Sequence, residues 1–252
     1  MNNPQQGKSL DDTLALMRDL RARCEWDRAQ THDSLRPYLV EEAHELDDAL
    51  RFGDDAAIRG ELGDVLLQVL FHAVIAEERG AFTMRDVADG LIAKMRVRHP
   101  HLYGDGERVG WERMKAKVRD SIADGLPVDL PALHRAHRLQ DRAAGVGFDW
   151  PDADGPAAKV EEELGEVRAE LRAGGAVHRA RLEAELGDLL FAVVNLCRKA
   201  GVHASLALDR ANFKFAQRFE SVERLARDRG IDVRTAGLET LDRLWDEVKA
   251  TR

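Results

Sequence analysis

The stretch VEEELGEVRAELRAGGAVHRARLEAELGDLLFAV, from Val160 to Val193, combines many carboxylates with a run of apolar residues. Its last part, ELGDLLFAV, brings Glu185 and Asp188 directly against the apolar block. Apolar residues recur here at the three- and four-residue intervals of an α-helix, without the alternation that is typical of a strand. The stretch therefore predicts helices that hold acidic side chains next to their apolar faces.

A similar stretch occurs about 120 residues earlier, VEEAHELDDALRFGDDAAIRGELGDVLLQVLFHAV, from Val40 to Val74. The acids Glu42, Glu45, Glu61 and Asp64 correspond in order to Glu163, Glu166, Glu185 and Asp188. Further on, Lys94 and Arg98 correspond to Lys214 and Arg218, and Trp111 corresponds to Trp245. The matching order indicates an internal duplication. The segment DGLPVDLPA at 124–132 breaks the periodicity, so we predict one module over 1–125 and another over 126–252.

Helical spacing continues along the rest of the chain, and local residues mark where helices begin and end. Prolines such as Pro37 are expected at the edges of elements. Gly53 and Gly201 follow apolar-periodic segments, where a glycine typically ends a helix. Thr83 with Asp86 weakly resembles a capping box. No segment predicts a strand, so the predicted fold class is all-α.

Composition excludes several classes of protein. The chain has 252 residues, of which 44% are hydrophobic, and a net charge of −8. The acidic balance argues against binding to a nucleic acid polymer or to a membrane surface. Cys24 and Cys197 form no CxxC pair, which argues against a zinc cluster or a disulfide framework. The N-terminus lacks a signal pattern, and the apolar run at 65–76 is too short for a membrane span. We predict a cytoplasmic protein.

The acidic residues are spaced so that each pair shares one face of a helix. Glu42 with Glu45, and Glu61 with Asp64, are three residues apart. If the two helices are antiparallel neighbours, the four carboxylates converge, and their repulsion raises some of their pKa values. A hard divalent cation such as Mg²⁺, which prefers oxygen ligands, relieves this repulsion. Ordinary solvated helix faces are the alternative, but an ordered duplicate favours the metal site.

The basic pairs lie four residues apart and place two cations on one helix face. Opposite a carboxylate cluster with Mg²⁺, their expected guest is a polyphosphate, with lysine as a point charge and arginine as a bidentate donor. Trp111 and Trp245 are either core anchors or plates on which a nucleobase stacks. The sequence contains neither a glycine-rich phosphate loop nor a nucleophile elbow.

Two other functions compete with this interpretation. Glu41 and His44 form an ExxH pattern of the kind that di-iron helical bundles use, but the second module has no histidine there. A non-catalytic helical interaction or regulatory protein would keep its acids for solubility or for a partner. That alternative predicts no metal-dependent turnover.

The acidic motifs resemble those of the MazG family of nucleoside triphosphate pyrophosphohydrolases, which carry EExxE followed by ExxD. Here the motif reads EEAHE…ELGD at 41–64 and EELGE…ELGD at 162–188. The resemblance extends over nearly the whole chain and includes RHPH at 98–101, GFDW at 147–150 and the closing tryptophan helix. Two modules together with RHPH resemble the broad housekeeping type more than a dUTP- or dCTP-directed hydrolase.

The resemblance implies two tandem, four-helix-bundle-like modules that a homodimer completes. It implies cleavage of NTPs or dNTPs between the α and β phosphates, with Mg²⁺ as cofactor and Mn²⁺ as a substitute. The implied metal ligands are Glu163, Glu166, Glu185 and Asp188, of which Glu163 or Glu166 also takes the proton of the attacking water. The implied nucleotide contacts are Lys159, Lys214, Arg218 and Trp245.

In the first module the corresponding positions are Glu42, Glu45, Glu61, Asp64, Lys94, Arg98 and Trp111. One difference is visible. Val40 precedes Glu41 where the second module has Lys159 and Val160, so the first module lacks that lysine. We therefore expect catalysis mainly in the second module, with the first structural, regulatory or weakly active.

Overall fold

The computed structural model describes residues 9–106, 110–116, 119–173 and 176–250. Over these residues the chain forms twelve α-helices and no strand, which confirms the predicted all-α class. It divides into two compact units, residues 1–108 and 109–252. The module boundary at 125/126 stays a prediction about the repeat, and it lies inside the second compact unit.

The first unit contains six of the described helices. They are α1 (Leu10–Arg23), α2 (Glu25–Ala29), α3 (His32–Phe52), α4 (Asp55–Glu78), α5 (Met84–Arg98) and α6 (Pro100–Tyr103). The two long helices α3 and α4 pack against each other as a hairpin. Gly53 closes α3 with a φ of 71°, a left-handed conformation that glycine adopts without strain. Asp54 then caps α4, because its side chain accepts from the backbone of Ala56 at 2.8 Å.

Local sequence accounts for most helix ends in the first unit. The capping box of Thr83 and Asp86 is present at the start of α5, as predicted. The expectation for Pro37 is wrong, because this proline lies inside α3 rather than at its edge. Its position near the start of the helix limits the loss to one backbone bond, the one that its missing N–H would donate to Asp33.

The core of the first unit is a cluster between α1, α3 and α4. Its buried members are Met17, Leu35, Leu70, Phe71, Val74 and Ile75. Arg21 is also buried and donates from Nε and Nη2 to the two carboxylate oxygens of Glu78 at 2.7 and 2.6 Å. It donates further to the backbone oxygen of Asp27 at 2.6 Å. A paired charge therefore fastens α1 to the end of α4.

The second unit contains the remaining helices, α7 (Trp111–Ala116), α8 (Ala132–Gly145), α9 (Asp154–Ala173), α10 (Ala176–Lys199), α11 (Ala204–Asp228) and α12 (Leu238–Ala250). Helices α9 and α10 pack against each other, and α10 also packs against α8 and α11. Val222, Ala226 and Leu244 form a buried cluster between α11 and α12. Among the described residues no single helix is long and apolar enough to cross a membrane, although the bent pair Arg179–Lys199 and Ala204–Asp228 passes by length and composition together.

Three histidines meet where α8 lies beside the start of α11. The ring of His203, the N-cap residue of α11, lies 4.5 Å from that of His137 and 5.0 Å from that of His134, between centroids. Burial, followed by repulsion from His203, lowers the pKa of His134 below its ordinary value. Burial also lowers the pKa of His137, although Asp141 opposes the change. The arrangement therefore favours the neutral forms of His134 and His137.

Candidate functional site

The two helical hairpins carry the predicted carboxylates. In the first unit Glu42 and Glu45 lie on α3, and Glu61 and Asp64 lie on α4; in the second unit Glu163 and Glu166 lie on α9, and Glu185 and Asp188 lie on α10. Residues three apart share a helix face, and hairpin packing sets the acid-bearing faces side by side. Each hairpin brings three of its four predicted carboxylates into one cluster.

In the second unit the cluster consists of Glu163, Glu185 and Asp188. One carboxylate oxygen of each lies within 4.8 Å of the others. Glu163 is only 5% exposed, whereas Glu185 is half-buried and Asp188 is exposed. Carboxylate oxygens at this spacing are the donors that Mg²⁺ and Mn²⁺ prefer. The donor set therefore fits a hard divalent cation.

The two oxygens of Glu163 have different surroundings. Oε1 lies 2.6 Å from Nζ of Lys159, one turn earlier on α9. Oε2 is buried and has no hydrogen-bond partner among the described residues. A buried ionised oxygen without a partner is costly, so this atom marks the place where a cation would complete the site.

Lys159 also bonds to Glu162 at 2.9 Å. Its hydrogen bonds to Glu163 and Glu162 raise the pKa of Lys159 above its ordinary value. The ammonium therefore stays charged and offsets part of the negative charge of the cluster. This lysine is the predicted phosphate contact that the structure places at the acids.

Glu166 lies beside the cluster of three rather than within it. It shares a hydrogen bond with Glu185, and this bond, followed by repulsion from Glu163, raises the pKa of Glu166. Two carboxyl groups can bond to each other only when one of them carries a proton. The sequence spacing predicts that these acids are close, but it does not show which pair shares the proton.

In the first unit the cluster consists of Glu42, Glu45 and Glu61, again with oxygens within 4.8 Å of one another. Burial raises the pKa of Glu42, and repulsion from Asp64 and then from Glu45 adds to the rise. Asp64 thus contributes charge from outside the group of three. Over residues 9–106, no ion pair compensates any of these four carboxylates.

The two units differ four residues before Glu163 and Glu42, of which Glu163 is buried and Glu42 is half-buried. Lys159 stands four residues before Glu163, and Tyr38 stands four residues before Glu42. The ring of Tyr38 lies edge-on to Trp26, with centroids 6.5 Å apart. The missing lysine is therefore replaced by an aromatic ring that packs elsewhere, and no lysine at this position offsets the negative charge of the first cluster.

The predicted basic pairs lie on the helices next to the acid-bearing ones, Lys94 and Arg98 on α5 and Lys214 and Arg218 on α11. Both lysines are exposed and both arginines are half-buried. Nε of Arg218 is buried without a hydrogen-bond partner in the described part of the chain. Within that part, the structure does not bring Lys94, Lys214 or Arg218 into contact with the carboxylates.

Of the two tryptophans that close the modules, the structure describes the side chain of Trp245 but not that of Trp111. Trp245 is half-buried and packs against the α11–α12 cluster, with its ring 5.3 Å from that of Phe215 between centroids. Its observed role is that of a core anchor, and a contact with the nucleotide stays a prediction. Trp111 opens α7, but its side chain lies outside the described residues.

A cavity of about 570 Å³ lies in the second unit, beside the GFDW turn. α8, α10 and the turn line it, with Phe148, Trp150 and Phe191 among the lining rings. The sequence prediction assigned no chemistry to this turn. A usable indication was Asn195, a carboxamide within the apolar run of α10 and seven residues after Asp188.

Comparison with known proteins agrees with the duplicated geometry. The profile of the MazG nucleotide pyrophosphohydrolase domain matches the chain twice, at residues 30–103 and 156–223. These two matches contain all eight predicted metal-ligating acids, four in each.

Full-length relatives are similar over almost the entire chain. The chain is 41% identical to the nucleoside triphosphate pyrophosphohydrolase of Escherichia coli K12, over 95% of this chain and 97% of that protein. It is 42% identical to the nucleoside triphosphate pyrophosphohydrolase/pyrophosphatase MazG of Thermotoga maritima, over 97% of each. A Bacillus subtilis protein, YabN, is 41% identical over 94% of this chain and 51% of its own length. The chain therefore belongs to the MazG nucleotide pyrophosphohydrolase family, with two MazG domains in tandem.

Proposed function

We propose that the protein hydrolyses nucleoside triphosphates, with ribose or deoxyribose, between the α and β phosphates, and releases the monophosphate and pyrophosphate. Family membership and the names of the E. coli and T. maritima relatives support this activity. The observation that carries it is made at Glu163, whose Oε2 is buried beside two further carboxylates and has no hydrogen-bond partner in the part of the chain that the structure describes. A housekeeping role in the nucleotide pool is part of the proposal.

The proposed cofactor is Mg²⁺, with Mn²⁺ as a substitute. Glu163, Glu185 and Asp188 would hold the ion, and Glu166 would join them once its bond to Glu185 is broken. A bound ion of this kind lowers the pKa of a coordinated water and offsets charge on the leaving pyrophosphate. The carboxylates themselves fix the ligand geometry from two packed helices, which limits their movement during turnover.

Two carboxylates are candidates for accepting the proton of the attacking water, Glu163 and Glu166. Lys159 occupies one oxygen of Glu163, whereas Glu166 bonds to Glu185 at the edge of the cluster. A general base must lie within hydrogen-bond reach of the water that it deprotonates. If Glu166→Gln removes the acidic limb of the pH–rate profile, Glu166 is the base; if the limb is kept, the assignment passes to Glu163.

The proposed phosphate contacts are Lys159, Lys214 and Arg218. Lys159 already lies at the cluster, whereas the other two lie on α11, the helix that packs against α10. A lysine offers a compact charge, and an arginine offers paired donors to phosphate oxygens. Trp245 on α12 is a further proposed contact with the nucleotide.

The first unit is proposed to bind a divalent ion without comparable turnover. Glu42, Glu45, Glu61 and Asp64 supply the same donor types, with Lys94, Arg98 and Trp111 in the corresponding places. The position of Lys159 is taken by Tyr38, so a triphosphate meets uncompensated negative charge there. A homodimer in the cytoplasm, with no nucleic acid polymer or membrane as partner, completes the proposal.

Product analysis by phosphorus NMR tests the proposal. Wild-type protein, Glu185→Gln and the matched variant Glu61→Gln are each given a panel of NTPs and dNTPs with Mg²⁺. We expect monophosphate and pyrophosphate from the wild type, loss of turnover in Glu185→Gln, and retention in Glu61→Gln. Diphosphate with phosphate as products would overturn the proposed bond cleavage. The absence of any turnover would instead favour the non-catalytic alternative.

A further inference from the structure

The cavity beside the GFDW turn continues the acid-bearing face of α10. Asp188 and Asn195 are seven residues apart, which is close to two helical turns, so they share one face of the helix. The rise along the helix separates them by about 10 Å. Phe191, one turn from Asp188, lines the cavity together with Asn195. A nucleotide whose phosphates lie at the acids can therefore extend along α10 into this cavity.

The size and lining of the cavity suit a flat ring. Its volume of about 570 Å³ lies within the range of small-ligand pockets. Phe148, Trp150 and Phe191 supply aromatic rings, and Leu139 and Ala143 supply aliphatic wall. Phe148 is 84% exposed, Trp150 47% and Phe191 45%, so these neighbouring aromatic rings leave open surface for a ligand. Stacking on aromatic faces accepts any nucleobase, because every base has a π-face.

Asn195 gives the cavity a hydrogen-bond donor of defined direction. Its Oδ1 accepts from Nε of Arg198 at 3.1 Å and from Nη2 of Arg198 at 2.8 Å. With Oδ1 held in this way, the amide orientation is set, and Nδ2 has no partner within the described residues. Arg198 is itself fixed, because Nη1 donates to Oδ2 of Asp149 at 3.3 Å and Nη2 donates to Oδ1 of Asp149.

A second carboxamide that lines the cavity supplies an acceptor. Gln140 on α8 is 6% exposed and donates from Nε2 to the backbone oxygen of Phe191 at 2.8 Å. Its Oε1 is buried without a hydrogen-bond partner among the described residues. Two carboxamides therefore line the aromatic cavity, and within the described residues each has one end bonded to the protein and the other end without a partner. The buried Oε1 of Gln140, which has no partner in the described part of the chain, lies beside an apolar cavity and indicates a ligand with a complementary polar edge.

We propose that this cavity takes the nucleobase of the substrate, and that Asn195 donates to a base carbonyl, O4 of uracil or O6 of guanine. The inference rests on the proposed function, since it assumes a nucleotide whose phosphates lie at the acidic cluster. It makes Asn195 a specificity-determining residue and gives Asp149 and Arg198 a positioning role. The corresponding edges of cytosine and adenine present an amino group, which faces the Asn195 donor unfavourably.

The test compares UTP with CTP. Uracil presents the acceptor O4 at the position where cytosine presents an amino donor. Asn195→Asp replaces the donor by an acceptor while it leaves an oxygen for Arg198. We expect the ratio of kcat/KM for UTP to that for CTP to fall by about tenfold in this variant, the effect of one hydrogen bond. Asn212→Ala, which removes an exposed amide on α11, is the control and keeps the wild-type ratio.

A second variant keeps the proposal testable if Asn195→Asp does not fold. Ala143→Leu narrows the cavity without contacting the carboxylates, and we expect it to raise KM for all four NTPs while kcat stays within about twofold. Unchanged UTP-to-CTP ratio in Asn195→Asp, or unchanged KM in Ala143→Leu, would overturn the base assignment while leaving the hydrolase intact. A wild-type protein that turns over no NTP would instead overturn the proposed function itself.

Discussion

Lys159 contacts Oε1 of Glu163 at 2.6 Å, while Oε2 of the same carboxylate is buried without a hydrogen-bond partner in the described part of the chain. One oxygen is thus held by a cation of the protein, and the other is left for a cation from solution. The lysine orients the carboxylate and reduces the repulsion among the acids of its own cluster.

Replacement of Lys159 by methionine should reduce catalytic efficiency without removing a proposed metal ligand. The variant keeps the length of the side chain but loses the ammonium that orients Glu163. Loss of a group that orients a metal ligand typically costs about 10- to 100-fold in metal affinity or activity. We expect a decrease in kcat/KM in this range, measured by steady-state kinetics with saturating Mg²⁺.

The matched control for this prediction is Lys249→Met. Lys249 forms an exposed pair with Asp246 at 2.7 Å on α12, three residues apart, as Lys159 does with Glu162. It should leave kcat/KM within about twofold of the wild type, because exposed pairs contribute little. Equal effects of the two substitutions would mean that Lys159 is an ordinary surface charge.

The two carboxylate clusters should bind divalent ions independently. Mn²⁺ binding, followed by electron paramagnetic resonance, should show fewer bound ions in Glu163→Gln and in Glu42→Gln than in the wild type. Loss of a carboxylate ligand weakens a hard-cation site, and these two substitutions affect different hairpins. Turnover should be lost only in Glu163→Gln. Unchanged Mn²⁺ stoichiometry in both variants would show that neither cluster is a metal site.

Arg21 should contribute strongly to the stability of the first unit. It is 7% exposed and makes hydrogen bonds to Glu78 and to the backbone oxygen of Asp27. Arg21→Ala leaves these partners unpaired and opens space in the core, so we expect a loss of about 2–4 kcal/mol in the free energy of unfolding. Urea denaturation followed by circular dichroism measures it.

Arg23→Ala is the control for this stability prediction. Arg23 lies on the same helix and forms an exposed pair with Asp19 at 3.0 Å. Its removal should change the free energy of unfolding by no more than about 0.5 kcal/mol. A similar loss in both variants would contradict the role assigned to the buried guanidinium.

Stability should decrease in mild acid, because the folded protein holds His134 and His137 below their ordinary pKa. Their contribution to stability is fully present above the unfolded pKa, near 6.5, and is lost as the pH falls through the folded pKa. The unfolded chain binds more protons over this interval. We expect the free energy of unfolding to be lower at about pH 5.5 than at about pH 7.5, and His137→Gln to reduce the difference. An unchanged difference in the variant would exclude His137 as the cause.

Much of the fold follows from spacing alone. Helical periodicity and the i, i+3 spacing of Glu163 with Glu166, and of Glu185 with Asp188, predict two acid-bearing helices that pack together, and the structure has them as α9 and α10. A glycine that follows an apolar-periodic segment predicts the end of α3 at Gly53, where the structure has it. These features depend on residues near one another in sequence, where local geometry decides the outcome.

The remaining features depend on contacts between distant residues. Sequence spacing places Lys159 one turn before Glu163, but it does not reveal that Glu166 bonds to Glu185 or that Glu163 is buried, because both depend on how α9 packs on α10. The cavity beside GFDW escaped prediction for the same reason. Its wall joins Gln140 of α8 to Phe191 of α10, which are 51 residues apart in the chain.

Tyr38 occupies the position in the first module that Lys159 occupies in the second, and its packing affects whether a lysine could replace it. Its ring lies against Trp26, and Trp26 in turn lies edge-on to Phe71 of the first core, with centroids 6.4 Å apart. A lysine introduced at position 38 would therefore disturb an aromatic chain that reaches the core, in addition to adding a charge beside Glu42. The two copies of the module therefore differ at this position in packing as well as in charge, and a single substitution at Tyr38 would alter both.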